Sequence, residues 1–150
     1  MAVLLAQACW LEAGWSPADC AAIAYVIRAR AARRGSTFTE MLVAYSAIDA
    51  DSPRATFARQ LPDGDEPTWN ARTNARWRQL RRHAAAVLAG NVRNPCVGAR
   101  DWGARNLPND VRRAVKAIEA GRWRVVTCTE QTANAFYRRA ARAADGGGRR

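Results

Sequence analysis

The sequence predicts a mainly α protein, α+β only through one minor strand, in a single domain. Three observations carry this. The chain has 150 residues, a length that suits one domain able to bury about two-thirds of its unfolded surface. Apolar residues recur at helical spacing in segment after segment, and glycine or proline punctuates each one. The composition, 49% hydrophobic and 25% charged, is that of an ordinary globular chain, which argues against wholesale disorder.

The elements follow in order. In the first helix Leu4, Ala8 and Leu11 share one face, Leu5, Cys9 and Glu12 line the next, and Gly14 ends it. Ser16-Pro17-Ala18-Asp19 then reads as an N-cap, a proline at the first helical position and an acid in the first turn. That second helix runs to about Arg34, with Cys20, Ile23, Ala24 and Ile27 inward, and stops at Gly35. Thr37-Phe38-Thr39-Glu40 is a capping box, and Phe38, Met41, Leu42 and Tyr45 give the third helix its stripe. Residues 49–67, rich in Asp, Pro and Gly, read as a loop. A long helix covers 69–89, with Trp77, Leu80, Ala84, Val87 and Leu88 inward and five arginines on its other faces. Residues 91–107 read as irregular. A helix over about 108–120 is expected to turn Val111, Val115 and Ile118 inward, and residues 123–129 read as a short strand. The spacing of Ala133, Phe136, Tyr137, Ala140, Ala141 and Ala144 predicts a last helix, followed by a frayed tail at 146–150.

Charge is the loudest feature. The net charge is +11, and 23 of the 24 basic residues are arginine. Residues 1–66 hold 6 basic and 8 acidic residues, whereas residues 67–150 hold 18 and 5. Such a balance suits a polyanionic partner: nucleic acid, an anionic membrane or a bacterial wall. Arginine and alanine codons are also favoured by a GC-rich genome, so part of the surplus has a second explanation. No apolar run approaches the ~20 residues that span a bilayer, so no transmembrane segment is expected.

The four cysteines allow three pairings if all are bridged, and no CxxC pair suggests zinc. Two helices turning near residues 14–17 would bring Cys9 to Cys20, and Cys96–Cys128 is the other expected pair; four buried free thiols are the competing reading. An even count suits an oxidising compartment. Residues 1–14 have some signal-peptide character, but they lack a positive n-region and carry Glu12 where the apolar run should end. They are therefore read as the first helix of the mature domain.

Glu12 is the first candidate for chemistry. It ends an apolar helix beside Trp10, Leu11 and Trp15, and desolvation by indoles would raise its pKa, as a general acid requires. An exposed helix-end glutamate, or one paired with Arg28 or Arg30, is the competing reading. The lone His83 lies in the arginine-rich helix and reads as a solvated surface residue, so no nucleophile–histidine arrangement can be built.

Several pieces of the chain carry a resemblance. Ala6-Gln7-Ala8-Cys9-Trp10-Leu11-Glu12-Ala13-Gly14, followed by residues 21–30, AAIAYVIRAR, is similar to the opening of the cell-wall hydrolase family that includes spore cortex-lytic enzymes. More loosely it resembles lysozyme-like lytic transglycosylases, phage endolysins among them. Ala44-Tyr45-Ser46, residues 94–103 with Asp101-Trp102-Gly103, and Asn134-Ala135-Phe136-Tyr137-Arg138 resemble further motifs of such proteins in the same order. The likeness touches about half of the chain. Asp101 stands where histidine is usual, and the helical spacing of residues 133–144 departs from the strand-like end the family suggests.

The resemblance implies a lysozyme-like domain over residues 1–145, with Glu12 as the catalytic acid and the bond between N-acetylmuramic acid and N-acetylglucosamine as its target. It implies sugar contacts from Tyr45, Ser46, Asp101, Trp102, Asn134 and Tyr137, with Trp102 the best placed for an exposed contact because it reads as a loop residue. For Tyr45 core packing is an equal reading. A hydrolase needs a second carboxylate, for which Asp49, Asp51 and Asp101 are candidates; a transglycosylase needs none, since the substrate's own 6-hydroxyl attacks. The implied partners are peptidoglycan and the anionic bacterial envelope, met by a monomer that uses no metal or cofactor. The implied place of action is periplasmic or extracellular, or reached by phage delivery. The rival reading is a non-catalytic, arginine-rich helical protein that grips nucleic acid through residues 69–89 with Trp69 and Trp77 interleaved.

Overall fold

A computed structural model describes residues 1–141; the expected tail at 146–150 lies outside them. The described chain is mainly helical with a small antiparallel sheet. Its elements are α1 (Ala2–Ala13), α2 (Pro17–Arg34), α3 (Phe38–Tyr45), a 3-10 turn (Ala47–Asp49), α4 (Pro53–Gln60), α5 (Ala71–Leu88), β1 (Asp101–Ala104), α6 (Pro108–Glu119), β2 (Trp123–Val126) and β3 (Asn134–Arg139).

Local signals set the helix boundaries. The Ser16 hydroxyl accepts from the Asp19 N–H (3.2 Å), and Gly35, at φ 63°, closes α2 in a conformation that costs glycine least. Both arms of the Thr37–Glu40 capping box are formed, and the Thr37 N–H holds the Glu40 carboxyl below its ordinary range. Helix α1 is apolar nearly all round and is accordingly the central helix, packed against α2, α4 and α5. Its one buried amide, Gln7, donates to the carbonyls of Leu61 (2.9 Å) and Arg59 (3.2 Å), so burying it leaves no donor stranded. Leu5, Ile23, Ile27, Leu42, Trp77, Leu80, Val87 and Phe136 fill the core between these helices and the sheet. Two disulfides, Cys9–Cys20 and Cys96–Cys128, close it; the first ties α1 to α2.

Four expectations about the elements are corrected. Residues 53–60, read as loop, form α4, whose Ser52-Pro53 start repeats the Ser16-Pro17 signal of α2. Residues 101–104, read as irregular, form β1. Residues 134–139 of the predicted last helix form strand β3, the middle strand in the order β1-β3-β2, and Ala144 of that prediction lies outside the described residues. Phe136 lies opposite both Trp102 of β1 and Val126 of β2, so ladder hydrogen bonds on two sides override an alanine-rich helical spacing. Finally, α6 turns the other way. Val111, Val115 and Ile118 are 41%, 44% and 39% exposed, and the small residues Ala114 and Ala117 face the protein instead. His83 is also half-buried rather than solvated, and burial pushes its pKa down against a Pro17 carbonyl bond and the Glu130 charge.

Candidate active site

A cleft of about 830 Å³ runs between the end of α1, the α3–3-10 corner, β1 and the start of α6. Glu12 lines it, one residue short of the C-terminus of α1. The chain has to leave the helix directly afterwards, and Gly14, at φ 63°, makes the turn with its N–H on the Trp10 carbonyl (2.8 Å). The two carboxyl oxygens of Glu12 are held separately. Oε1 accepts from the backbone N–H of Ala47 (2.7 Å), and Oε2 accepts from the indole N–H of Trp102 (3.2 Å). Among the described residues Glu12 enters no ion pair. An ionised carboxylate offers about four lone-pair sites, so these two donors leave others for a proton or a ligand.

Each holder of Glu12 is itself held. Ser46 caps the 3-10 turn: its hydroxyl donates to the Leu42 carbonyl (2.7 Å) and accepts from the Ile48 N–H (3.4 Å), which fixes the adjoining Ala47 N–H. Asn134 donates its side-chain amide to the Glu12 carbonyl (3.2 Å). Asn134 in turn starts β3 on Asp19, whose buried carboxylate accepts from the N–H groups of Ala133 and Asn134 (both 2.8 Å) and from the Ser16 hydroxyl (2.5 Å). A run of hydrogen bonds thus joins the N-terminus of α2, through β3, to the end of α1.

The predicted site residues separate into two groups. Glu12, Tyr45, Ser46, Asp101, Trp102 and Asn134 all line the cleft. Tyr137 does not. It is buried, stacks on Trp123 (centroids 5.3 Å apart) and lines a neighbouring pocket, and burial pushes its hydroxyl pKa up. Trp102 is not the exposed loop contact expected of it: it sits on β1 at 6% exposure and spends its one donor on Glu12. Trp10 and Trp15, read as flanking Glu12, are not among the residues that line the cleft. They pair edge to face with each other, and Trp10 also rests on Phe57. Tyr45 is half-buried with the Arg30 guanidinium 4.1 Å above its ring.

Among the described residues the cleft holds two other carboxylates, and both are paired with arginines. Asp101 pairs with Arg30 (3.0 Å). Asp110, which the sequence reading passed over, accepts from the Ala104 N–H (2.9 Å) and lies 3.8 Å from Arg113. Asp49 and Asp51 are exposed and are not among the cleft residues. Ser52, Arg54, Asn106, Arg113 and the Ala47 N–H are further polar features missed from sequence, and Arg30, read as a possible partner for Glu12, pairs with Asp101 instead. An acid in the first turn of a proline-started helix was a usable signal for Asp110; a backbone donor at residue 47 has none. Among the described residues no group of three or more His, Cys, Asp or Glu is placed to hold a metal ion, and no helix is long and apolar enough to cross a membrane.

The arrangement defines an α+β domain with one glutamate presented in a cleft lined by polar and apolar groups alike. No protein-family model matches the chain, and neither does any curated protein or solved structure.

Proposed function

We propose that this protein cleaves the glycan strand of peptidoglycan between N-acetylmuramic acid and N-acetylglucosamine, with Glu12 as the acid. The observation that carries the reading is the presentation of Glu12 itself: a carboxyl group in an extended cleft, oriented through both oxygens by neutral N–H donors rather than by a cation. Such a group can deliver a proton in a set direction, and general acid catalysis contributes typically 10²–10⁴-fold. The resemblance of residues 6–14 to cell-wall hydrolases points to the same residue.

The reaction is that of a lytic transglycosylase. Glu12 gives its proton to the glycosidic oxygen, the C1–O bond breaks, and an oxocarbenium-like centre develops at C1. The muramic acid 6-hydroxyl oxygen bonds to C1, and its proton returns to the Glu12 carboxylate. Nothing is consumed beyond the strand, and the product ends in a 1,6-anhydro sugar. A hydrolase would need a second carboxylate to direct or replace water, and the two others in the cleft are engaged by Arg30 and Arg113. The two disulfides suit action outside the cytoplasm, on the bacterial envelope. Against nucleic-acid binding, Trp77 is wholly buried, and Arg78 and Arg81 of α5 pair with Asp65 and Asp63.

The test is E12Q beside the parent on purified peptidoglycan, with mass spectrometry of the released fragments. The expected result is anhydro-ended muropeptides from the parent and a rate reduced at least about 100-fold in the variant. Parental clearing by E12Q would sink the assignment, and reducing ends would make the enzyme a hydrolase.

A further inference from the structure

Beside the cleft lies a second pocket of about 210 Å³, walled by six arginines: Arg30, Arg33, Arg34, Arg100, Arg138 and Arg139. They come from three separate parts of the fold, the end of α2, the approach to β1 and the end of β3. Among the described residues Asp101 is the one carboxylate lining it, and that group is already engaged by Arg30. Arg33 shows the consequence: desolvation first, then the charges of Arg100, Arg139, Arg30 and Arg34, hold its pKa below the ordinary value. Folding has brought like charges together here, and an anion entering the pocket would relieve that repulsion. The floor is not charged. Tyr137 and Trp123, stacked face to face, line it. Arg30, Tyr45 and Asp101 line both this pocket and the cleft, so the two adjoin.

We propose that this pocket is an oxyanion site that binds a carboxylate or phosphate group carried by the polymer whose glycan occupies the cleft. The link to a polymer rests on the glycan-cleaving reading; the oxyanion site itself rests on the arginines alone. Guanidinium forks match both oxyanions in geometry, and the aromatic floor accommodates the apolar part of the chain that bears one. Peptidoglycan supplies carboxylates on its peptide stems, and attached wall polymers supply phosphodiesters. The site therefore selects strands bearing such substituents over bare glycan.

The experiment measures binding calorimetrically to the E12Q protein, so that no ligand is cleaved. The ligands are inorganic phosphate, a free stem tripeptide, glycan strands with their peptides, strands stripped of peptides, and strands retaining a phosphate-bearing polymer. The comparison proteins add R33Q/R139Q, and R72Q/R76Q as a control that removes the same charge from exposed positions of α5. The expected result is that R33Q/R139Q weakens phosphate or tripeptide binding about tenfold or more, while R72Q/R76Q stays near the parent. R33Q/R139Q is also expected to bind stripped strands as the parent does. Preference for peptide-bearing or for phosphate-bearing strands identifies which source the pocket reads. Equal weakening by the two double variants, or none by R33Q/R139Q, overturns the site. Failure of stripped glycan to bind, with arginine-dependent oxyanion binding intact, would count against the glycan-cleaving reading and leave the oxyanion site standing.

Discussion

Asp19 is the one charged side chain fully buried among the described residues, and three donors converge on it: the Ser16 hydroxyl and the N–H groups of Ala133 and Asn134. Hydrogen bonds to a charged acceptor contribute roughly 1.5–3 kcal/mol each, and a donor left buried without a partner costs about 1–3 kcal/mol. In D19A, Ser16 and Ala133 lie near enough to the surface to turn to water, but the Asn134 N–H does not. The loss is therefore expected below the sum of three bonds, at about 4 kcal/mol. D19N keeps one acceptor oxygen and presents an NH₂ where a carboxylate oxygen stood. Its best orientation turns that NH₂ toward Asn134 and keeps the other two bonds, for a loss of about 2 kcal/mol. Against a total stability of roughly 5–15 kcal/mol, D19A should be conspicuously weakened, with a melting temperature about 8–16 °C lower. The assay is urea unfolding followed by circular dichroism, with both disulfides intact so that the transition is compared between like states. A loss under about 1 kcal/mol in D19A would refute the claim that this carboxylate anchors the start of β3.

Three further outcomes are expected. W102F removes the indole donor to Glu12 Oε2 while leaving a ring in the core; kcat should fall about tenfold, with KM within about twofold, in a turnover assay on soluble glycan fragments. Removing the Cys96–Cys128 bridge, which spans 32 positions, should cost roughly 3.5 kcal/mol, and removing Cys9–Cys20, which spans 11, roughly 3 kcal/mol; denaturant titration of the two double-alanine variants checks the order. Burial holds the pKa of His83 below its ordinary 6.5, so the unfolded chain takes up the proton first as pH falls through the range just under that value. Stability should therefore drop there, and H83Q should show a flatter profile between about pH 7.5 and about pH 5; an unchanged slope would count against this role.

How much of this was legible in the sequence follows from how local each signal is. The caps of α2 and α3, the stripe of α5 and the Cys9–Cys20 bridge depend on residues within a few turns of one another, and all were readable. Strand β3 was not, because its partners lie in β1, 30 or more residues earlier, and in β2 across a loop, and the alanines in and around it have helical spacing. Helix α6 shows a subtler limit. Its apolar stripe was visible, yet a stripe says which face is apolar and not which face meets the protein. Close approach to the sheet decides that. Ala114 and Ala117 admit it, and so does Gly103 of β1, where a Cβ would stand 3.2 Å from the Arg113 guanidinium and 3.4 Å from the Asp110 Cβ. The larger valines would hold the helix away. The site obeys the same logic. Glu12 could be found as one residue in one motif, but what orients it comes from residues 47, 102 and 134, and one of those contributions is a backbone N–H with no side-chain signature. A motif can nominate a carboxyl group; the way that group is oriented in the cleft belongs to the fold.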